Sequence, residues 1–564
     1  MSRNNIAGFS GAALALHPKL LADTVGVDSR NHKPGRGDLR PWRLPLAVYT
    51  VPIGTETIYR MGRELASDTL YWLTWPTVVH AIHGFISGDT TERTFYTGDG
   101  PPKQTSNAIG LEDTPYPSAW RLLGIPAPAQ VLVVTPNDTG VATDMEDRFY
   151  TYTYVTDLGE ESAPALVSAK VTCKTDDTLT ITNIAAPPAG EYGINRIRFY
   201  RTQSGNSGNA EFFFLREEIS TITTTTDDGR ALGEVLPTDG WTPPPANLSY
   251  LTAMWNGMAA AIVPDDGSVR YCLAYKPYAW PIAQETLPPN AKAVALAVFG
   301  QRLLVMTTGK PVLVTGSSPE SLDEQPLEML QACVAPRSAV GLGHGAAWAS
   351  GDGLCYVGES GPTIVTSGIV TPEQWQALNP ESMTGAAYKG AYFGSYLDGS
   401  GVRRGFFMDC LSPAGIYFLD QGFESMFFDD AQDELYVLDG TTIKKWDAGV
   451  AFMTAVFRSK IFASTARNYA AARIEADAFP VTAVFDALEL DAGVITRVMA
   501  HYPGKFTNPS AGVLRHTRTV QSNRTFRLPG GFTARSHQVE IQTSGAVQWV
   551  AVATSVDELA EAGN

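Results

Sequence analysis

The densest cluster of carboxylates in the chain is Asp429, Asp430, Asp433 and Glu434. Calcium loops use such oxygens, but the alternating spacing and distant closing glutamate of an EF-hand are missing, so the cluster reads as a solvated β-turn. Asp227-Asp228-Gly229 and Asp265-Asp266-Gly267 read as hairpin turns, where aspartate and glycine suit the reversed backbone. His80 and His83 are three apart with no glutamate placed as in a zinc protease helix, and His344 sits in the glycine-rich GLGHG. That glycine run lacks the Lys-Ser/Thr of a phosphate loop and lies between strands rather than before a helix. No GxSxG elbow and no Ser/His/Asp set is present. The expectation is therefore no catalytic residue, no bound metal and no cofactor: a chain that is not an enzyme.

Binding chemistry is better represented. His501, Lys505, Arg515, His516, Arg518, Arg524, Arg527 and Arg535 concentrate positive charge in an otherwise acidic chain. Either they form a solvated face, or they are a docking surface for an acidic partner or a phosphate backbone. Trp72, Trp75 and Trp280 could stack on sugars if exposed. Cleaving a glycan would also need two carboxylates facing a cleft, and the sequence singles out no pair.

The net charge of −16 argues against nucleic-acid binding by overall attraction. It is compatible with a channel past which DNA slides, because a weakly repulsive wall does not hold the phosphate backbone. The five cysteines form no CxxC pair and are widely scattered, which predicts reduced, mostly buried thiols from a reducing compartment. No stretch is long and apolar enough for a membrane helix, and the patch at residues 12–16 is too short for a signal peptide, so neither membrane anchor nor secretion is expected.

The elements that must position these groups are mostly strands. At 564 residues the chain should divide into three or four domains. Residues 1–45, broken by Pro18, Pro34, Pro41 and Pro45, read as an irregular arm that could order on a neighbouring subunit. Residues 46–130 alternate strands and turns and could supply the first blade of a propeller. Residues 131–245 hold about seven short strands, including RFYTYTYVT and INRIRFYR, which is the pattern of a β-sandwich; its turn and strand order resembles a fibronectin type III module. The prolines at 243–245 make a stiff exit. Across residues 250–450 a glycine-punctuated strand pattern recurs at 295–316, 341–366, 386–420 and 427–446, close to propeller-blade spacing. One helix is predicted at 371–378, with Thr371 as cap and Pro372 in the first turn. Residues 455–564 read as a C-terminal β domain with strands at 456–464, 472–476, 481–485, 524–528 and 539–543 and a last helix at 556–562. The fold class expected is mainly β: a propeller-like platform with an inserted sandwich and a C-terminal β domain.

Several segments carry a resemblance: AYKPYAWP at 274–281, FGQRLLVMTTGKPVLVTG at 299–316, LQACVAPRS at 330–338, ASGDG at 349–353, TPEQWQALNP at 371–380, FRSK at 457–460 and FRLPGGF at 526–532. GDLRPWR at 37–43 and FYTGDGPPK at 95–103 join them. Together they resemble the tail nozzle, or tail tubular B-type, proteins of short-tailed bacteriophages. The resemblance implies a virion subunit, made in the host cytoplasm, that forms a cyclic homo-oligomer, a hexamer in that family. It implies a ring below the portal and its adaptor that carries the distal DNA channel, passes double-stranded DNA without reading its sequence, and gives tail fibres or spikes a place to attach. Two other readings stay open: a carbohydrate-binding or carbohydrate-cleaving tail component, and a propeller adaptor unrelated to phage.

Overall fold

The computed structural model describes residues 4–62, 65–86, 88–203, 211–282 and 285–560. They form two compact units, one of Met1–Leu70, Thr308–Pro311 and Leu327–Asn564, the other of Tyr71–Thr307 and Val312–Pro326. The fold is mainly β, and its recurring part is a four-stranded antiparallel sheet.

The second unit has three such sheets. The first runs His80–His83, Thr94–Thr97, Lys103–Thr105, Arg121–Leu122; the next Ser249–Ala253, Ala259–Val263, Ser268–Tyr271, Glu285–Thr286; the third Ala293–Phe299, Arg302–Thr307, Val312–Thr315, Asp323–Pro326. Three more belong to the first unit: Val340–Gly341 to Gly361–Ile364, Thr384–Tyr388 to Tyr417–Leu419, and Met426–Asp429 to Thr442–Lys445. The last of these has only three consecutive strands. Its fourth, Leu46–Thr50, comes from far upstream and pairs antiparallel with Thr442–Lys445. These are propeller-like blades, and the four repeats at 295–316, 341–366, 386–420 and 427–446 each fall within one sheet. Middle strands of two blades, AAAIV in one and GAAWA and LCYVG in the other, are buried along their whole length. Strands covered on both faces read as continuous apolar runs rather than alternations, which is why the repeat is visible in the sequence.

The sandwich lies between strands Arg121–Leu122 and Ser249–Ala253 of the second unit. One sheet orders Val133–Pro136, Leu179–Thr182, Thr225–Asp227; the other orders Tyr150–Thr156, Ile194–Thr202, Phe212–Ile219. Tyr150, Tyr152, Tyr154, Ile197 and Phe199 from one sheet meet Leu179 and Ile181 from the other in a single core. Alternation puts the tyrosines inside and Thr151 and Thr153 on the opposite face.

The C-terminal domain is a second two-layer structure. Ala455–Arg458, Ala534–Thr543, Val481–Leu488 and Leu514–Val520 form one layer, continuous through Asp28–Arg30 with the blade that ends at Tyr417–Leu419. Asn4–Ala7, Val547–Ala553, Ala471–Ala476 and Phe526–Arg527 form the other. Phe457, Val481, Ala483 and Ile541 face Ile6, Ile474, Val550 and Phe526 across the core. The segment read as an irregular arm for a neighbouring subunit is thus paired within its own chain. Asn4 stands opposite Val552, and Ser29 opposite Phe457. The prolines exclude long helices but leave room for three- and four-residue strands. Trp42 of the same segment is buried against Trp446 and Phe407, with ring centroids 5.6 Å away in each case. A Cβ on Gly11 would stand 2.5 Å from the Gly415 carbonyl carbon, so this backbone crossing requires glycine.

The helix predicted at 371–378 is Pro372–Gln376, with Thr371 and Gln374 forming a capping box. A ten-residue helix, Ala492–His501, was not expected. The final helix is seen as Asp557–Ala560, and the predicted end at residues 561 and 562 falls outside the described residues.

Candidate functional site

The basic residues of the C-terminal domain do not share one surface. Arg515 and Arg518 are three apart on strand Leu514–Val520, so they project from opposite faces. Arg515 is not available for docking. Its Nε and Nη2 each lie 2.7 Å from the Asp486 carboxylate, which also accepts from Arg458 Nη2 at 3.0 Å. Arg535 lies past the Leu488–Ser536 pair, whereas Arg518 is opposite Ala483. That offset of about six residues separates them by roughly 20 Å along the strands. Lys505 is exposed in the loop after helix Ala492–His501, where its carbonyl lies 2.8 Å from His516 Nδ1.

Three arginines do come together. Strand Phe526–Arg527 pairs with Ala471–Ala476, setting Ala472 opposite Phe526 and Ala471 opposite Arg527. Phe526 enters the core, so Arg527 points outward. Arg518 lies over the Phe526 ring at 4.6 Å and donates to the Arg527 carbonyl at 3.1 Å. Arg524 is exposed on the connecting turn. The turn is fastened by Arg473, which donates to the Asn523 carbonyl at 3.1 Å, and by Asn523, which donates to Glu475 at 3.1 Å. Glu475 is also paired with Arg473 at 3.0 Å. The result is a rigid ridge of Arg518, Arg524 and Arg527, with no acidic partner for Arg524 or Arg527 among the described residues. Arg473 was invisible from the sequence cluster because it lies about fifty residues upstream, on the neighbouring strand.

Other expected groups are structural. Trp72, Trp75 and Trp280 are buried, which removes them as sugar platforms; Trp280 Nε1 donates to the Pro277 carbonyl at 2.7 Å. Asp429 is not a solvated turn residue. It is fully buried against Arg60, 3.1 Å away, and Arg60 also donates to the Leu65 carbonyl at 2.9 Å. Asp227 likewise is buried and accepts from Tyr150 at 2.8 Å and Arg148 at 3.2 Å. Glu160 and Glu161, in the segment after strand Tyr150–Thr156, are both interior. Glu160 accepts from Arg93 and Gln104 at 2.9 Å, fastening the sandwich to the blade that contains Thr94–Thr97. Burial pushes its carboxyl up, against the opposing pull of Arg93. His344 is held by the Tyr356 hydroxyl at 2.8 Å and the Gly390 carbonyl at 2.7 Å. All five cysteines are buried and free, and burial pushes the thiols of Cys272, Cys333, Cys355 and Cys410 up to about 12. Among the described residues no group of three or more metal-ligating side chains converges.

The sandwich carries a groove that the sequence did not announce. On the outer face of its longer sheet, Thr151, Tyr200 and Phe214 stand in register. One wall is the segment around Leu166, held by the Ala165 N–H to the Tyr152 carbonyl at 2.9 Å. The other is the segment around Val235, held by the Phe214 N–H to the Glu234 carbonyl at 2.8 Å. Two adjoining hollows of about 580 and 490 Å³ share Val235.

No family model matches the sequence, and no curated protein does. Among solved structures, the chain is similar to virginiamycin B lyase from Staphylococcus aureus at 10% identity and a TM-score of 0.27, covering 66% of this chain and 99% of that one. It is also similar to the WD40 domain of Toxoplasma gondii coronin, at 9% identity and a TM-score of 0.23, over 77% and 89% of the two chains. Myxococcus xanthus glutaminyl cyclase aligns at 12% identity and a TM-score of 0.22, over 36% and 93%. Likenesses this distant assign neither a reaction nor a partner; the propeller-like description rests on the sheets themselves.

Proposed function

We propose that this chain is a structural subunit of a short-tailed phage tail: a nozzle ring that continues the DNA channel, retains or conducts the genome during ejection, and docks neighbouring tail proteins. In this reading the chain performs no chemical step. The observation that carries it is where the segments of family resemblance fall. Residues in two of them are packing anchors. In residues 371–380, Trp375 is buried and donates to the Ser350 carbonyl at 2.9 Å. In residues 330–338, Ser338 accepts from the Ala349 N–H at 2.9 Å and its carbonyl accepts from Tyr392 at 2.9 Å. Side chains of this kind specify a scaffold. The net charge of −16 suits a conduit for DNA better than a clamp on it. Loss of Trp72, Trp75 and Trp280 to the core withdraws the observation that favoured a glycan-binding role.

The test is the native mass of the purified protein together with its location in particles by cryo-microscopy. A six-fold ring at the tail with a bore wide enough for DNA is expected. A stable monomer that is absent from any tail would reject the proposal.

A further inference from the structure

The sandwich groove and the arginine ridge are complementary in chemistry. The groove walls expose aliphatic surface that a protein normally covers: Leu166 is 76% exposed, Val167 47% and Val235 46%. Its deep acids are already neutralised, since Arg198 donates to Glu161 and Glu217 at 2.8 Å each. The acids at its mouth are not. Glu211, Glu234 and Asp239 are exposed, line the hollows and have no ion pair among the described residues. Trp241, also in the lining, already faces a cation, with Lys276 Nζ 4.4 Å from its ring. The groove therefore suits long side chains with apolar stems and cationic heads. Arginine is the best such residue, because its stem packs on aliphatic surface and its planar head pairs with carboxylates or stacks on indole.

From this we infer that the groove of one copy receives the Arg524–Arg527 turn of the next copy in the ring. The inference rests on the nozzle reading above and names its contact. The occupant is a second copy for reasons of charge. A chain of net charge −16 repels itself unless locally opposite surfaces meet. The ridge supplies Arg524 and Arg527 on a turn already rigidified by Asn523, so little ordering entropy is lost on docking. Groove and ridge are different surfaces, so the contact is head-to-tail, and repeating it closes a cyclic ring when the rotation per copy divides the circle.

The experiment uses the full-length protein and native mass spectrometry, with circular dichroism to confirm folding. Glu234→Arg/Asp239→Arg and Arg524→Glu/Arg527→Glu should each weaken ring assembly by at least about tenfold in concentration, and raised salt should weaken the wild-type ring. The chain carrying all four substitutions should assemble again, a recovery that misfolding cannot produce. Rings that survive both double substitutions overturn this contact and leave the nozzle reading standing. The same result accompanied by weaker retention of double-stranded DNA in the arginine variant would assign the ridge to phosphate instead. A wild-type chain that stays monomeric and is absent from any tail overturns both inferences.

Discussion

Arg60 and Asp429 show what a buried charge does in this chain. Both side chains are fully removed from solvent, so neither can be re-solvated when the other is lost. Arg60→Ala should therefore cost about 3–5 kcal/mol in denaturant unfolding, whereas replacing both partners with apolar residues of similar volume should recover most of it. His537 provides a titratable counterpart. Burial lowers its pKa to about 4, and Asn4 Nδ2, which can only donate, lies 2.9 Å from Nε2 and requires that nitrogen to stay unprotonated. His32 is lowered to about 4 for the same reason, burial. In both, the folded pKa lies below the unfolded value near 6.5, so unfolding takes up protons between the two. The stability these two histidines contribute is complete above about pH 6.5 and is lost as pH drops towards 4. His537→Gln should flatten this acid limb in thermal melts, and an unchanged limb would remove His537 from the account.

At the scale of elements, Glu160 links the sandwich to the neighbouring blade through Arg93 and Gln104. Glu160→Ala should cost about 3 kcal/mol, because it leaves a buried guanidinium without one of its carboxylates. Hydrogen exchange should rise first at Thr94–Thr97 and Tyr150–Thr156, the strands on either side. The capping box is a smaller case: Thr371→Ala should cost about 1 kcal/mol. These two elements also mark what can be read in a sequence. Thr371, Pro372 and Gln374 announce their helix through local chemistry, and the blade strands announce themselves through apolar runs between glycines. Glu160 gives no such sign, since Gly-Glu-Glu-Ser reads as a solvated turn until Arg93 and Gln104 arrive from the preceding sheet. Strand Leu514–Val520 was hidden in the same way. Its LRHTRTV alternation is that of a half-buried strand, but its charge invites a reading as a basic patch, and the opposite facing of Arg515 and Arg518 follows only once the strand is recognised. The groove on the sandwich depends on two walls, near Leu166 and Val235, that no local pattern brings together.

At the scale of the molecule, both layers of the C-terminal domain are completed by the beginning of the chain. Asn4–Ala7 occupies the edge beside Val547–Ala553, and Asp28–Arg30 bridges Tyr417–Leu419 and Ala455–Arg458. Removing residues 1–30 should therefore raise hydrogen exchange across Val547–Ala553 and Ala455–Arg458, while leaving the sandwich core around Tyr152 and Phe199 protected. Equal loss of protection in both places would show that the chain unfolds as one. The arrangement also fixes a schedule. Strand Asn4–Ala7 leaves the ribosome roughly 500 residues before its partner, and at about 5–20 residues per second it waits on the order of a minute. Throughout that time its edge has nothing of its own to pair with. The domain is thus a proof of completion: a polypeptide cut short before Val547–Ala553 leaves Asn4–Ala7 and Ala471–Ala476 without the strand that lies between them.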